Sequence, residues 1–271
     1  MLRRTKIVAT IGPGSEDPKT LDKLVEAGVD VIRLNFSHDL PEVHMKRAEN
    51  ARERAQAHGR TIGVLADMQG PKIRIGKFKD GPIQLKQGEK FVIDMDLPLD
   101  AGTPERIGTT YKPLAQDVAR GATLLLDDGR IVLWVDQVTG NEVVCRVVVG
   151  GELSDNKGIN RQGGGLSAAA LTDKDRADIK TAAAIQADYV AISFPRSAAD
   201  VEEARRLFRE AGGKGGIVAK IERAEAITAI EEIIAASDAV MVARGDMGVE
   251  IGDAAVPPVQ KRIIRLARKM N

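Results

Sequence analysis

Gly216-Ile217-Val218-Ala219-Lys220-Ile221-Glu222 is a short apolar run that turns charged at its end. Side chains on a strand alternate with a period of two, so Lys220 and Glu222 share a face. A strand buried in a parallel sheet should be apolar on both faces, so that face must meet water or charge. One strand–helix unit later the pattern returns: Ala239 to Ala243 reads as a strand, and Arg244-Gly245-Asp246-Met247-Gly248 follows it. Glu222 and Asp246 therefore fall at the same end of neighbouring strands. A small number of hard oxygen ligands, with positions left for substrate and water, is the usual way to hold Mg²⁺. Lys220 beside them suits a migrating phosphoryl group, which needs fixed positive charge. The residues alone leave one alternative open: Lys220 and Glu222 pair with each other, and Asp246 caps the next helix.

Moving towards the N-terminus, other strand ends carry polar groups too. In Arg33-Leu34-Asn35-Phe36-Ser37 the polar residues Arg33, Asn35 and Ser37 occupy one face. Asp67-Met68-Gln69-Gly70-Pro71-Lys72-Ile73-Arg74 places an acid, a tight turn and two cations after a strand spanning Ile62 to Ala66, which suits an anion site. Strands at Lys6–Thr10, Val31–Asn35, Ile62–Ala66, Tyr189–Ile192, Gly216–Lys220 and Ala239–Ala243 alternate with helical stretches: Ser15 to Gly28, Pro41–His58, Thr172–Ala187, Ala198–Ala211, Ala224–Ala236 and a last one from Val256 to Asn271. Alternation of this kind predicts a parallel sheet. Chemistry at the C-terminal ends of successive strands is the pattern of a (β/α)₈ TIM barrel, so the fold class is α/β with about six βα units present.

Between Pro71 and Leu166 the texture changes. Short β runs are punctuated by Asp80-Gly81-Pro82, Gln87-Gly88, Asp128-Gly129 and Thr139-Gly140-Asn141, with one brief helix candidate at Tyr111–Ala119. Ile131–Val135 and Val143–Val149 read as a hairpin. The chain thus divides into a first barrel part (1–70), an inserted β domain (71–166) and a second barrel part (167–271). Gly163-Gly164-Gly165 is the expected return hinge, loosened by glycine.

Composition narrows the function. The formal net charge is +1 and aromatics make up 3% of 271 residues, so neither a basic field nor stacking platforms point to nucleic acid. Cys145, the lone cysteine, sits in an apolar run, which fits a buried thiol and a reducing, cytoplasmic location. Met1-Leu2-Arg3-Arg4-Thr5 leads directly into a strand with no signal-peptide core, and no apolar stretch is long enough to span a bilayer.

Seven stretches, in order and from end to end, resemble the pyruvate kinase family: Thr10-Ile11-Gly12-Pro13, Arg33-Leu34-Asn35-Phe36-Ser37-His38, Gly70-Pro71-Lys72-Ile73-Arg74, Asp127-Asp128-Gly129, Lys157-Gly158-Ile159-Asn160, Lys220-Ile221-Glu222 and Met241-Val242-Ala243-Arg244-Gly245-Asp246. The resemblance implies phosphoryl transfer from phosphoenolpyruvate to ADP, giving pyruvate and ATP. It implies that Glu222 and Asp246 hold Mg²⁺ or Mn²⁺, that Lys220 and Arg33 act on the transferring phosphoryl, and that backbone N–H groups around Gly245 and Asp246 bind the substrate carboxylate. It implies that Asn35, His38, Arg74 and Lys157 face the nucleotide, that Phe194 is the aromatic ending the fourth strand, and that the insert is a small β-barrel lid. Many relatives need K⁺, held by groups matching Asn35, Ser37 and Asp67, with a Glu in Gly-Pro-Glu. Here that position is Lys72, and Met68, Gln69 and Ile75 replace the potassium-dependent Thr, Lys and Thr. The expectation is that the Lys72 ammonium substitutes for K⁺ and that K⁺ is not required. The family continues past residue 271 with two more βα units and a regulatory domain, and assembles as a homotetramer. The chain is accordingly expected to be a fragment with little turnover. A Mg²⁺-dependent aldolase or lyase acting on pyruvate enolates, or a non-catalytic remnant that binds metal or nucleotide, are the competing readings.

Overall fold

In the computed structural model, residues 4–270 are described. Met1 to Arg3, read as the lead into the first strand, and Asn271, read as the end of the last helix, lie outside them.

The described residues build two sheets and a small ribbon. In the first, β1 (Val8–Ile11), β2 (Val31–Asn35), β3 (Gly63–Asp67), β12 (Tyr189–Ile192), β13 (Gly216–Ile221) and β14 (Ala239–Val242) are parallel neighbours in that order. The order never reverses, unlike that of doubly wound sheets, which switch direction at the ligand-binding crevice. Register aligns the functional ends: Thr10 lies against Arg33, Asn35 against Asp67, and Ala191 against Asp67 on the other side. The connecting helices are α1 (Pro18–Glu26), α2 (Pro41–Ala57), α4 (Asp173–Ala184), α5 (Ala198–Glu210), α6 (Ala224–Thr228), α7 (Ile230–Ala236), α8 (Arg244–Ile251) and α9 (Val256–Met270). Their apolar faces cover one side of the sheet, in a core that includes Leu34, Val64, Ile192, Ala219, Ile179, Phe208 and Ile233. Leu65, Ala191 and Val218 pack on the opposite side with Val31, Ala239 and Met241.

The segment between β3 and β12 has a core of its own. It contains β4 (Ile83–Leu85), β5 (Lys90–Asp94), β6 (Arg106–Gly108), helix α3 (Leu114–Asp117), β7 (Thr123–Leu126), β8 (Ile131–Thr139), β9 (Glu142–Val149), β10 (Gly151–Leu153) and β11 (Ile159–Arg161). Six of these strands form a mixed sheet in the order β11-β7-β8-β9-β5-β6, and β10 pairs with β4. Phe91, Ile93, Leu124, Leu133, Cys145 and Val147 are among the side chains of its interior. The expected hairpin is β8–β9, longer than its apolar runs because Gln137 to Thr139 continues pairing past an irregularity at Asp136.

Several sequence expectations are corrected. The helix expected at Tyr111–Ala119 is only α3, because Val118 takes an extended conformation. The helix expected at Ala224–Ala236 breaks at Ala229 into α6 and α7. The third strand sits one residue later, at Gly63–Asp67, which brings Asp67 into the sheet. Helix α8 was not foreseen; Gly245, Gly248 and Gly252 mask it. Nor is the triple glycine simply loose: Gly163, Gly164 and Gly165 have φ of 77°, 78° and 92°, a region glycine enters without a Cβ penalty. Among the described residues no helix is long and apolar enough to cross a membrane.

Candidate functional site

The site is built where β2, β3, β12 and β13 end side by side. Asp67 closes β3 and is 1% exposed; its Oδ2 accepts a 2.7 Å hydrogen bond from Arg33 Nε, and Arg33 also donates to Thr10 Oγ1 at 3.0 Å. The Lys220 ammonium reaches in from β13. It lies 2.9 Å from Glu222 Oε1 and 3.3 Å from Asp67 Oδ1, and donates to Ser193 Oγ at 2.6 Å. Burial pulls the Lys220 pKa down, but the carboxylates of Glu222 and Asp67 outweigh it and the net shift is upward, so the amine stays charged. Glu222 is also 1% exposed. Burial pushes its carboxyl up to about 7, against the opposing pull of the Lys220 ammonium.

The end of β12 organises both β13 groups. Ser193 Oγ donates to the Met68 carbonyl at 2.8 Å while accepting from Lys220. The next residue, Phe194, has φ of 58°, and its N–H donates to Glu222 Oε2 at 2.8 Å. Sequence reasoning singles out Phe194 but not Ser193, which lies one residue past the end of β12 and belongs to no motif. Gly70 packs against this dipeptide: a Cβ there would stand 2.7 Å from the Ser193 Cβ, and its φ is 68°. Its N–H donates to Asp175 Oδ1 at 3.0 Å, and Asp175 also completes the capping box of α4 with Thr172. The turn after β3 is thereby tied to the start of the following helix.

Glu222 Oε1 and Asp67 Oδ1 are buried, near the Lys220 ammonium, yet neither receives a directed hydrogen bond. Lone pairs of a hard donor facing a half-satisfied pocket are a fit for a small divalent cation. Asp246, in the first turn of α8, adds its negative charge to the field at Glu222. Among the described residues no set of three or more His, Cys, Asp or Glu is placed to hold a metal, so any ion here would rest on two carboxylates and external ligands.

Of the expected site residues, Arg33, Asp67, Lys220 and Glu222 are linked through ion pairs; Lys220 and Glu222 do pair with each other, whereas Asp246 lies in the first turn of α8 and does not cap it, the N-cap being Ala243 with no side-chain bond. Gly245 and Asp246 line a cleft of about 570 Å³ with Lys72, Asp128 and Gly129. Asp246 and Phe194 also line a second, narrower crevice with Lys72, Asn160 and Arg223. The groups expected to face the nucleotide are more dispersed. Arg74 donates to the Asn156 carbonyl at 2.8 Å, and Lys157 pairs with Asp127 at 2.8 Å. Asn35 Oδ1 accepts from the Ser37 N–H at 3.1 Å, and His38 is exposed in the same turn. Lys72 is exposed, and among the described residues no bond joins its ammonium to Asn35, Ser37 or Asp67.

Comparison with known proteins agrees with this geometry. Residues 2–271 match the family model described as pyruvate kinase, barrel domain. The chain is 54% identical to a pyruvate kinase of Haemophilus influenzae over 273 residues, covering 100% of the chain and 57% of that protein. It is equally 54% identical to pyruvate kinase II of Salmonella typhimurium, and 47% identical to a pyruvate kinase of Mycobacterium tuberculosis over 269 residues. The chain thus spans 57% of the length of each of these first two relatives. On the family match and on identities of this size across its whole length, the chain belongs to the pyruvate kinase family.

Proposed function

We propose that the protein of which this chain forms part transfers the phosphoryl group of phosphoenolpyruvate to ADP. The observation that carries the reading is the Lys220 ammonium held among Asp67, Glu222 and Ser193, with Arg33 on the far side of the same carboxylate. Phosphoryl transfer asks little covalent chemistry of the protein and much positioned positive charge. Lys220 on β13 and Arg33 on β2 supply two such charges on either side of Asp67, fixed before substrate arrives. Gly245 and Asp246, at the exposed N-terminus of α8, offer backbone donors to the substrate carboxylate. Arg74, Lys157, Asn35 and His38 serve the nucleotide.

Glu222 and Asp246 would hold Mg²⁺ or Mn²⁺, which when bound draws off charge from the substrate oxygens. The buried Glu222 Oε1, which faces the Lys220 ammonium but receives no directed hydrogen bond, supports this assignment. The parallel sheet is read as an arc of a (β/α)₈ barrel, residues 1–70 and 167–271, and residues 71–166 as a lid domain inserted after its third strand; the unreversed strand order and the separate core support that division. Lys72 is proposed to make K⁺ dispensable. Lys72 lines the cleft and carries its ammonium on a flexible stem, and Asp67 is already neutralised by Arg33 and Lys220.

The test is a lactate dehydrogenase-coupled assay of the full-length protein with phosphoenolpyruvate, ADP and Mg²⁺. ADP-dependent pyruvate formation is expected, and Lys220→Met should lower kcat by about 10³-fold, the scale of losing a preorganised electrostatic group. Pyruvate release that ignores ADP would overturn the reading in favour of a lyase.

A further inference from the structure

The return crossing from the inserted β unit to the parallel sheet is fastened to the two elements that carry Glu222 and Asp246. Glu225, three residues beyond Glu222, accepts the Gly165 N–H on its Oε1. Arg223, 4% exposed, donates to the Leu166 carbonyl at 2.7 Å and lies 3.4 Å from Glu225. From the other element, the Glu250 carbonyl accepts the Gly163 N–H at 3.0 Å, while its carboxylate accepts the Ala224 N–H at 2.9 Å and bonds Asn160. Glu250 is one helical turn past Asp246 on α8. Three consecutive positive-φ glycines let the backbone approach this closely; a Cβ on Gly164 would sit 2.4 Å from the Glu225 carboxylate. Upstream, the crossing continues into β11, whose neighbour Gly158 bridges to Arg74, and Ile75 N–H donates to the Lys157 carbonyl at 2.9 Å. Lys157 stands two residues before β11 and Arg74 pairs beside it, while Glu225 holds Gly165 in the loop that leaves β11.

We propose that Glu225 is a positioning residue for the nucleotide: by clamping Gly165 it fixes where Arg74 and Lys157 stand relative to the Lys220 pocket. This rests on the functional reading above. The Arg223 Nε and Glu225 Oε2, buried and without hydrogen-bond partners, leave the clamp under-satisfied and so able to release.

The experiment compares Glu225→Ala, Glu225→Gln and wild type in the full-length protein, by amide hydrogen exchange resolved at Gly165 and by steady-state kinetics. Glu225→Ala should speed Gly165 exchange about tenfold or more, the scale of one charge-assisted hydrogen bond, with β8 and β9 unchanged. The KM for ADP should rise about tenfold while the KM for phosphoenolpyruvate stays within about twofold, the size of a typical coupling between sites. Glu225→Gln keeps an acceptor for the same N–H and should restore both readouts. Should Glu225→Ala not fold, Glu225→Asp, whose shorter stem withdraws the carboxylate, should show the same changes. Unaltered Gly165 exchange, or faster exchange with an unmoved KM for ADP, would overturn the proposal. If wild type shows no ADP-dependent turnover, the functional reading fails by itself, and the exchange measurement still decides whether the clamp exists.

Discussion

Lys220 shows what a single side chain gains from its neighbours. Its amine is buried, and burial alone would strip the proton; two carboxylates on separate strands and a serine hydroxyl hold the charge in place. The partnership of Lys220 with Glu222 was legible in the two-residue spacing. That of Lys220 with Asp67 was not, because the sequence separates them widely and only strand order makes them neighbours. The carboxylate of Asp67 is bonded to Arg33 and contacts Lys220. Ser193 went unremarked for a similar reason: a lone serine carries no pattern, and its importance comes from the Met68 carbonyl on the adjacent strand. The tightest constraint on this group is Gly70. Gly70→Ala would add a methyl 2.7 Å from the Ser193 Cβ at a φ of 68°. A loss of about 1–3 kcal/mol in denaturant stability is expected, together with a lower kcat as Ser193 shifts. Wild-type stability and kcat in this variant would show that the turn can relax freely.

At the level of elements, the strands of the parallel sheet were readable because each is an apolar run ending in charge. Helix α8 was not, since its glycines dilute helical propensity and Asp246 looked like part of a turn. The break between α6 and α7 was equally hidden in Ala224–Ala236, where every residue tolerates helix. Glu250 on α8 offers a measurable consequence. Burial first, and the nearby Glu225 carboxylate, raise its pKa above the ordinary 4.5, against the pull of the Ala224 N–H and Arg223. The folded state therefore binds this proton more tightly than the unfolded chain, so its contribution to stability is full below about pH 4.5 and is lost as pH rises through the raised value. Glu250→Gln should flatten the decline in Tm between about pH 5 and pH 8 in thermal melts; an identical slope would count against the assignment. In the inserted unit, Cys145 is 0% exposed and its thiol is pushed up to about 12 by burial. A native protein should leave Cys145 unmodified by a disulfide reagent at about pH 8, with labelling appearing only as the unit unfolds.

For the molecule as a whole, the two-part organisation could be read from texture: alternating strands and helices, then dense turns, then alternation again. What the sequence could not specify was how the parts are joined, because the Gly165–Glu225 contact depends on three dimensions and on residues with no motif of their own. Cation dependence belongs at this scale as well, since it concerns the whole of the cleft proposed to be catalytic. The full-length protein should keep its turnover within about twofold when K⁺ is replaced by Na⁺ or by tetramethylammonium, and Lys72→Glu should create a requirement for K⁺ by replacing a fixed cation with an anion. Strong K⁺ activation of the wild type would remove Lys72 from that role.

The pairing of β3 with β12 bears on how the chain acquires its shape. Val64 donates its N–H to Asp188 across 124 positions of sequence, with the entire inserted unit lying between them. Closing so long a loop is entropically slow if the intervening chain is random. The insert's β8–β9 hairpin is local and can form early, and once that unit condenses it delivers the ends of β3 and β12 as two nearby stems. An unstable insert should therefore slow the assembly of the parallel sheet even where it leaves the finished sheet intact, making the inserted unit an internal scaffold during refolding.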